Sequence, residues 1–260
     1  MNIYPEKTDL IKHIAIDENM PTLLVGEAGL GKSYTAVLAA QSAERDCRTV
    51  NLSKQSDLVD LLGQFILEKD GENSVFKWVD GVITQAAQEG KVLILEELTM
   101  ADGTILAALH GLFEKKPKLY TTNGDVKIHP DFRVIGTSNP SWTNYNGVSE
   151  LNYAFEDRFV HILFDFPQRQ TIEKFLEPFE RNIEKRDIDI DDIYDVAKRL
   201  FELYPRNVPN FLSLRGLEFF SKLLGTYNVK QSFELAILNK MEKEERSKVV
   251  DIIDNYIAIY

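Results

Sequence analysis

Cysteine is almost absent from this 260-residue chain, which contains only Cys47. One thiol excludes a disulfide within the chain, and chains without disulfides are typical of a reducing compartment. Long apolar runs are absent too, because no stretch approaches the roughly 20 apolar residues needed to cross a bilayer. The N-terminal MNIYPEKTDL holds no apolar segment of signal-peptide length. The sequence therefore predicts a cytoplasmic protein that does not span a membrane.

Positive charge is also scarce. The chain has 30 Lys and Arg residues against 41 Asp and Glu residues, with a net charge of −11 and a pI of about 5.0. Such a chain repels the phosphate backbone, which argues against a general nucleic-acid-binding surface but leaves a local basic groove open. Histidines at metal-ligand spacing, internal repeats and low-complexity tracts are missing as well. What the chain does contain is 44% hydrophobic residues, enough for a buried core.

Short aliphatic and β-branched runs alternate with longer helical patterns in the first part of the chain. This alternation predicts an α/β fold, with a parallel sheet wound with helices. Five strands are predicted, at residues 22–25, 49–52, 92–95, 133–137 and 160–164. After Pro167 the pattern indicates only amphipathic helices, at residues 171–181, 191–204, 213–224, 232–238 and 244–259. We predict an α/β domain over residues 1–167 and a helical domain over residues 168–260, because proline resists helix continuation.

An Asn-Gly pair lies just ahead of the fourth predicted strand. Asn123 and Gly124 stand between two extended segments, residues 118–121 and 126–128. Asn-Gly in such a setting is a strong signal for a tight β-hairpin. The sequence therefore predicts a hairpin over about residues 118–128 that projects from the body.

A glycine-rich loop follows the first predicted strand and precedes a helix. Its sequence has the spacing of a phosphate loop, in which glycines let the backbone approach the phosphates and the helix N-terminus binds the anion. Lys32 is expected to reach the β and γ phosphates, and Ser33 to ligate magnesium. A turn that binds nothing is the alternative, but strand, loop, Lys-Ser and helix occur in the required order. The predicted nucleotide-binding residues are Gly26, Glu27, Ala28, Gly29, Leu30, Gly31, Lys32, Ser33 and Tyr34.

Two acidic residues follow the apolar strand 92–95. Glu96 and Glu97 would reach the sheet edge where the phosphate loop lies. In P-loop ATPases the first acid helps hold hydrated magnesium, and the second orients the attacking water. Glu96 is longer by one methylene than the usual Asp, and an exposed acid pair is the alternative interpretation. We predict Glu96 as a metal residue and Glu97 as a catalytic one.

Three further segments carry a resemblance to a known family. LILEELTMADGTILAALHGLFEKK, HPDFRVIGTSNP and LNYAFEDRF resemble the MoxR and dynein-related branch of the AAA+ ATPases, and the similarity covers about residues 10–220. The resemblance implies a five-stranded parallel sheet sandwiched by helices, with a C-terminal helical lid. It also implies an insert in the second helix, over about residues 61–79 with its tip at residues 71–73.

The same resemblance implies three catalytic residues besides Glu97. Asn139 matches the sensor of the γ phosphate, although asparagine before proline also favours a turn. Arg158 matches the arginine finger that one subunit presents to ATP in its neighbour, although it is also compatible with a surface ion pair. Arg215 matches the second sensor, which belongs to the helical lid and touches ATP in its own subunit.

These residues lead to a main hypothesis and two alternatives. The main one, which the resemblance implies, is an ATP- and Mg²⁺-dependent hexameric ring that remodels or activates a client, with an adaptor that in the family often carries a von Willebrand A domain. A nucleic-acid motor is the second hypothesis, with Lys115, Lys116 and Lys118 gripping phosphates, and the acidic charge argues against it. A scaffold with negligible turnover is the third, and only Glu96 supports it.

Overall fold

The computed structural model describes residues 2–70, 73–140, 153–203 and 213–257. Residues 71 and 72 at the predicted insert tip lie outside this range, as do residue 204 and residues 258–259 of two predicted helices. Among the described residues, every helix is too short or too polar to cross a membrane.

The strands comprise one central sheet and two separate hairpins. In chain order they are β1 (Thr22–Gly26), β2 (Cys47–Asn51), β3 (Gly63–Asp70), β4 (Asn73–Asp80), β5 (Val92–Glu96), β6 (Tyr120–Thr121), β7 (Gly124–Asp125), β8 (Arg133–Ser138) and β9 (Val160–Phe164). The central sheet has the order β2-β5-β8-β1-β9, and all of its pairings are parallel. The five-stranded parallel sheet expected from the sequence is confirmed.

Helices surround this sheet and form all of the described C-terminal part. They are α1 (Pro5–Ile11), α2 (Lys32–Ser42), α3 (Leu58–Leu62), α4 (Val82–Glu89), α5 (Gly103–Leu109), α6 (Tyr153–Glu156), α7 (Arg169–Leu176), α8 (Glu180–Glu184), α9 (Ile190–Leu203), α10 (Leu214–Leu223), α11 (Val229–Ala236) and α12 (Lys243–Tyr256). A π-helical turn, Lys12–Asp17, extends α1. The helical C-terminal region is therefore confirmed, while the boundary at residue 167 stays a prediction.

The central strands are buried on both faces. In β5, Leu93 and Leu95 pack on one side of the sheet, whereas Val92 and Ile94 pack on the other, because successive side chains alternate. The first side is covered by α4 and α5, and the second by α1, α2 and the C-terminal helices. Coverage of both faces explains why these strands are continuously apolar in sequence.

Two helix boundaries differ from the sequence-based expectation. The predicted helix 171–181 is interrupted by a 3₁₀ turn, Glu177–Phe179, because Pro178 has no backbone N–H to continue the α-helical ladder. The helix predicted at 232–238 begins earlier, at Val229. Its start is fixed by Asn228, whose side chain accepts a hydrogen bond from the Gln231 backbone N–H.

The predicted insert is a β-hairpin between α3 and α4. Its strands, β3 and β4, form an antiparallel ladder that pairs Phe65 with Trp78 and Leu67 with Phe76. Opposite residues of a ladder share a face, so these four side chains form one apolar face of the insert. The face is exposed, with 63% of Leu67 and 76% of Phe76 accessible.

The second hairpin is shorter than the sequence suggests. Tyr120 pairs with Asp125 and Thr121 with Gly124, so Thr122 and Asn123 occupy the turn rather than Asn123 and Gly124. Gly124 takes a positive φ of 107°, which glycine tolerates. At the base of the hairpin, the Val126 N–H donates to the Leu119 carbonyl at 2.9 Å.

Candidate active site

The glycine-rich loop connects the end of β1 to the start of α2. Gly31 has a left-handed backbone with φ 84° and is the N-cap residue of α2. Because glycine has no side chain that could accept hydrogen bonds from the first amides of the helix, these amides point toward the loop. A Cβ atom at Gly29 would lie 2.4 Å from Cβ of Ser213, which begins the C-terminal helix α10. The loop therefore has the open amides and the tight backbone that a phosphate cradle requires.

Lys32 lies buried inside the loop. Its Nζ donates to the carbonyls of Gly26 at 2.7 Å and Glu27 at 2.9 Å, and to Oδ1 of Asn139 at 3.2 Å. Burial lowers the pKa of Lys32 to about 8, while the carboxylates of Glu97 and Glu27 act in the opposite direction. The Lys32 amine is thus protonated at neutral pH, and the surrounding oxygen atoms accept its hydrogen bonds.

Asn139 joins this lysine to Glu97. Its Nδ2 donates to Oε2 of Glu97 at 3.0 Å, while its Oδ1 accepts from Lys32. Burial raises the pKa of Glu97, Lys32 lowers it, and Glu96 raises it. Glu97 also has a left-handed backbone, with φ 55°, and its N–H points to Oγ1 of Thr137 at 3.4 Å. The three side chains of Lys32, Asn139 and Glu97 form one hydrogen-bonded chain, which we call the cis network.

Sheet order explains why these residues meet. β8 lies between β1 and β5, and all three strands run in the same direction. Their carboxyl ends therefore share one edge, the usual ligand edge of an open α/β sheet. The phosphate loop follows β1, Glu97 follows β5 and Asn139 follows β8, so residues far apart in sequence converge there.

Ser33 and Glu96 supply oxygen atoms of the kind that magnesium prefers. Glu96 closes β5 and Ser33 lies in the first turn of α2. Among the described residues, no cluster of three or more His, Cys, Asp or Glu side chains is arranged to hold a metal ion. This donor set fits magnesium, which is commonly held by one or two protein oxygens together with substrate phosphates. The assignment of both residues stays a prediction.

Arg158 lies at the opposite edge of the sheet. β9 runs parallel to β1, with Thr22 paired to Val160 and Gly26 paired to Phe164. Arg158 precedes the start of β9, and the strand alone spans about 13 Å at 3.3 Å per residue. Its guanidinium contacts Glu114, with Nη2 3.2 Å from Oε1. Arg158 is therefore not brought together with the phosphate loop of its own chain.

Arg215 follows a residue that contacts the phosphate loop, but it does not itself hydrogen-bond to the loop. The N–H of Leu214 donates to the Gly29 carbonyl at 3.2 Å, and Ser213 caps α10 by accepting from the Gly216 N–H at 3.1 Å. The side chain of Arg215 is exposed and makes no hydrogen bond or ion pair with the rest of the described chain. Its role as a second sensor stays a prediction.

Three residues near the site were missed from the sequence. Thr137, which is buried, and Glu114 have no motif of their own, and only the strand order and the fold place them. Tyr4 packs its ring against Phe164, with the ring centroids 5.3 Å apart, and its buried hydroxyl has no hydrogen-bond partner among the described residues. Tyr4 lines a cavity of about 370 Å³ between the N-terminal segment and the chain that follows β9. A Cβ atom at Gly31 would lie 3.7 Å from the Tyr4 ring, so this ring packs beside the phosphate loop.

The sheet order, the glycine loop and its buried lysine define a P-loop nucleotide-binding protein. Residues 21–159 match the AAA domain (dynein-related subfamily), and the chain belongs to this family. This membership confirms the resemblance to the MoxR and dynein-related branch of the AAA+ ATPases.

The chain covers very different shares of the proteins to which it is similar. Midasin of Giardia intestinalis is 34% identical over 158 residues, which are 60% of this chain but 3% of that protein. The denitrification regulatory protein NirQ of Pseudomonas aeruginosa is 25% identical over 247 residues, 92% of this chain and 90% of NirQ. Protein CbbQ of Hydrogenophilus thermoluteolus is 29% identical over 155 residues, 59% of this chain and 56% of CbbQ.

A solved structure supports the same fold. The crystal structure of a Cytophaga hutchinsonii protein superimposes with a TM-score of 0.52 at 15% identity, covering 98% of this chain and 88% of that one. The chain is thus an AAA+ protein of the type that includes NirQ and CbbQ.

Proposed function

We propose that the protein is an ATP-hydrolysing hexameric ring motor whose active site is completed between neighbouring copies. The observation that carries the proposal is the position of Arg158 at the sheet edge opposite the phosphate loop. An arginine there cannot reach the phosphates of its own chain, so it acts on those of a neighbour. Repetition of one such head-to-tail contact closes into a ring when the rotation permits.

The residues of the cis network divide the chemistry. Lys32 binds the β and γ phosphates in exchange for its carbonyl contacts, and Glu97 orients and polarises the attacking water. Asn139 sets the distance between the two by hydrogen-bonding both. Arg158 of the neighbouring copy stabilises charge on the transferring phosphoryl group, and Arg215 contacts the γ phosphate from the lid. Ser33 and Glu96 would hold magnesium, which would supply neutralisation of phosphate charge.

The partner we propose is a protein. NirQ is by its name a regulatory protein of denitrification, and it matches the present chain over nearly its full length. The exposed apolar face of the insert suits a polypeptide client better than a phosphate backbone, because charge-free aromatic side chains give no electrostatic attraction to phosphates. An adaptor with a von Willebrand A domain is part of this proposal on the family resemblance alone.

Dilution tests the ring. Because ATP would bridge two chains, the specific ATPase rate should fall on dilution and nucleotide should promote assembly. Arg158→Ala should bind ATP normally but lose most hydrolysis, and mixing it with Lys32→Ala should restore part of the activity. Restoration occurs because some interfaces then join an intact phosphate loop to an intact finger. A full specific rate in monomers across a wide dilution series would overturn the proposal.

A further inference from the structure

Glu114 holds the predicted arginine finger by one side. Its Oε1 accepts from Nε of Arg158 at 3.2 Å and lies 3.2 Å from Nη2 of the same group. Nε and Nη2 form the side edge of the planar guanidinium. The terminal edge, made of the two Nη atoms, can bind phosphate oxygens in a bidentate manner. A carboxylate on the side edge therefore fixes the direction in which the terminal edge points.

The backbones of the two partners are fixed by a buried aromatic cluster. Phe113, directly before Glu114, has its ring centroid 5.1 Å from that of Phe155 and 4.7 Å from that of Phe159. Phe155 and Phe159 flank Arg158 in sequence, and none of the three rings is more than 8% exposed. With both backbones held by packing, the ion pair with Glu114 acts on the direction of the Arg158 side chain.

The solvent exposure of Arg158 and Glu114 indicates that their ion pair contributes little to the free energy of folding. The side chains of Arg158 and Glu114 are 27% and 48% exposed. Ion pairs this open to water are screened and add little stability. A contact of small energetic weight, placed on the residue that is proposed to act in a neighbouring copy, fits an orienting role better than a structural one.

We propose that Glu114 is a positioning residue for hydrolysis, which aims the terminal edge of Arg158 at the phosphates bound by the neighbouring copy. This inference rests on the proposed function, because it requires Arg158 to act in trans. Glu114 itself touches neither nucleotide nor water. Its effect reaches the reaction only through Arg158, and this makes the proposal testable.

The first measurement compares Glu114→Ala with a matched control. Glu89→Ala removes a carboxylate that is 52% exposed and pairs with Lys91 at 2.6 Å rather than with the finger. We expect Glu114→Ala to lower kcat about tenfold with unchanged KM for ATP, a loss within the range of a misdirected catalytic group. Glu114→Gln, which keeps an accepting oxygen, should recover part of the rate, and Glu89→Ala should match the wild type. If Glu114→Ala does not assemble, the isosteric Glu114→Gln carries the comparison alone.

A double-mutant cycle with Arg158→Ala tests whether Glu114 affects hydrolysis through Arg158. If Glu114 acts only through Arg158, the double variant should hydrolyse ATP within about twofold of Arg158→Ala, because coupled residues are not additive. A full further tenfold loss in the double variant would overturn the inference, as would a wild-type rate for Glu114→Ala. Wild-type hydrolysis by Arg158→Ala would instead overturn the proposed function, so the two failures are distinguishable.

Discussion

The two halves of the proposed active site are built in contrasting ways. The cis network is largely buried, with Lys32 only 7% and Asn139 only 8% exposed and Glu97 partly buried, and hydrogen bonds join its three side chains within one chain. The finger half is partly exposed, and Glu114 holds it by a single carboxylate oxygen. The first half is formed by the fold of one copy, whereas the second is proposed to act on nucleotide bound by another copy.

This contrast teaches how stability and activity are coupled. Buried polar groups that lose a partner cost about 1 to 3 kcal/mol, because the remaining group stays desolvated. An exposed ion pair contributes about 0 to 1 kcal/mol. Changes in the cis network should therefore affect both folding and catalysis, and changes at the finger should affect catalysis alone.

Lys32→Ala should give the largest effect, a loss of ATP affinity of roughly 100-fold or more. Two charge-assisted hydrogen bonds to phosphate disappear, each contributing about 1.5 to 3 kcal/mol. Calorimetric titration with ATP measures the loss, and Lys77→Ala, which breaks an exposed pair with Glu68, serves as the control. Unchanged affinity in Lys32→Ala would remove the phosphate-loop assignment.

Glu97→Gln should separate binding from turnover. The amide oxygen can still accept the hydrogen bond from Asn139, so ATP should remain bound, but a neutral amide cannot polarise water as a carboxylate does. We expect kcat to fall by roughly 100-fold, measured as phosphate release. Glu96→Gln is the comparison, and a wild-type rate in Glu97→Gln would make Glu96 the candidate base.

Near neutral pH, the smallest of the expected effects is the pH dependence of ATP affinity. Burial lowers the pKa of Lys32 to about 8, and bound phosphate would raise it because anions favour the cation. ATP affinity should therefore be nearly constant from about pH 7 to about pH 8 and fall up to about tenfold per pH unit above it. Lys32→Arg, which stays protonated, should flatten the profile. A flat wild-type profile to pH 10 would show that this amine does not control binding.

Much of the fold could be predicted from local patterns. Four of the five central strands are short runs rich in aliphatic residues, whereas β2 is more polar, and the parallel sheet follows from the alternation of strands with helices. The insert could be located from the length of the segment, but its hairpin structure could not be predicted. Its exposed apolar residues cannot be told in sequence from residues of a buried core. Pro178 gave a signal that a helix would break there, and it was overlooked.

The candidate site could be predicted where one motif carries it. The phosphate loop is continuous in sequence, so its residues are found together. The hydrogen bond from Lys32 to Asn139 spans 107 residues and depends on β8 lying beside β1, which no local pattern specifies. Glu114 lies 44 residues from Arg158 and has no recognisable motif. The roles of all these residues stay predictions until their variants are measured.

The insert hairpin also has a consequence for handling the protein in solution. β3 and β4 pair only with each other among the described strands, so both edges of this ribbon present unpaired backbone groups. Open edges beside exposed apolar side chains act as templates for edge-to-edge association. The charged residues Glu68, Lys69 and Lys77 lie on the ribbon and oppose such stacking. Concentrated protein in high salt, which screens these charges, is therefore expected to aggregate through this ribbon whether or not nucleotide is present.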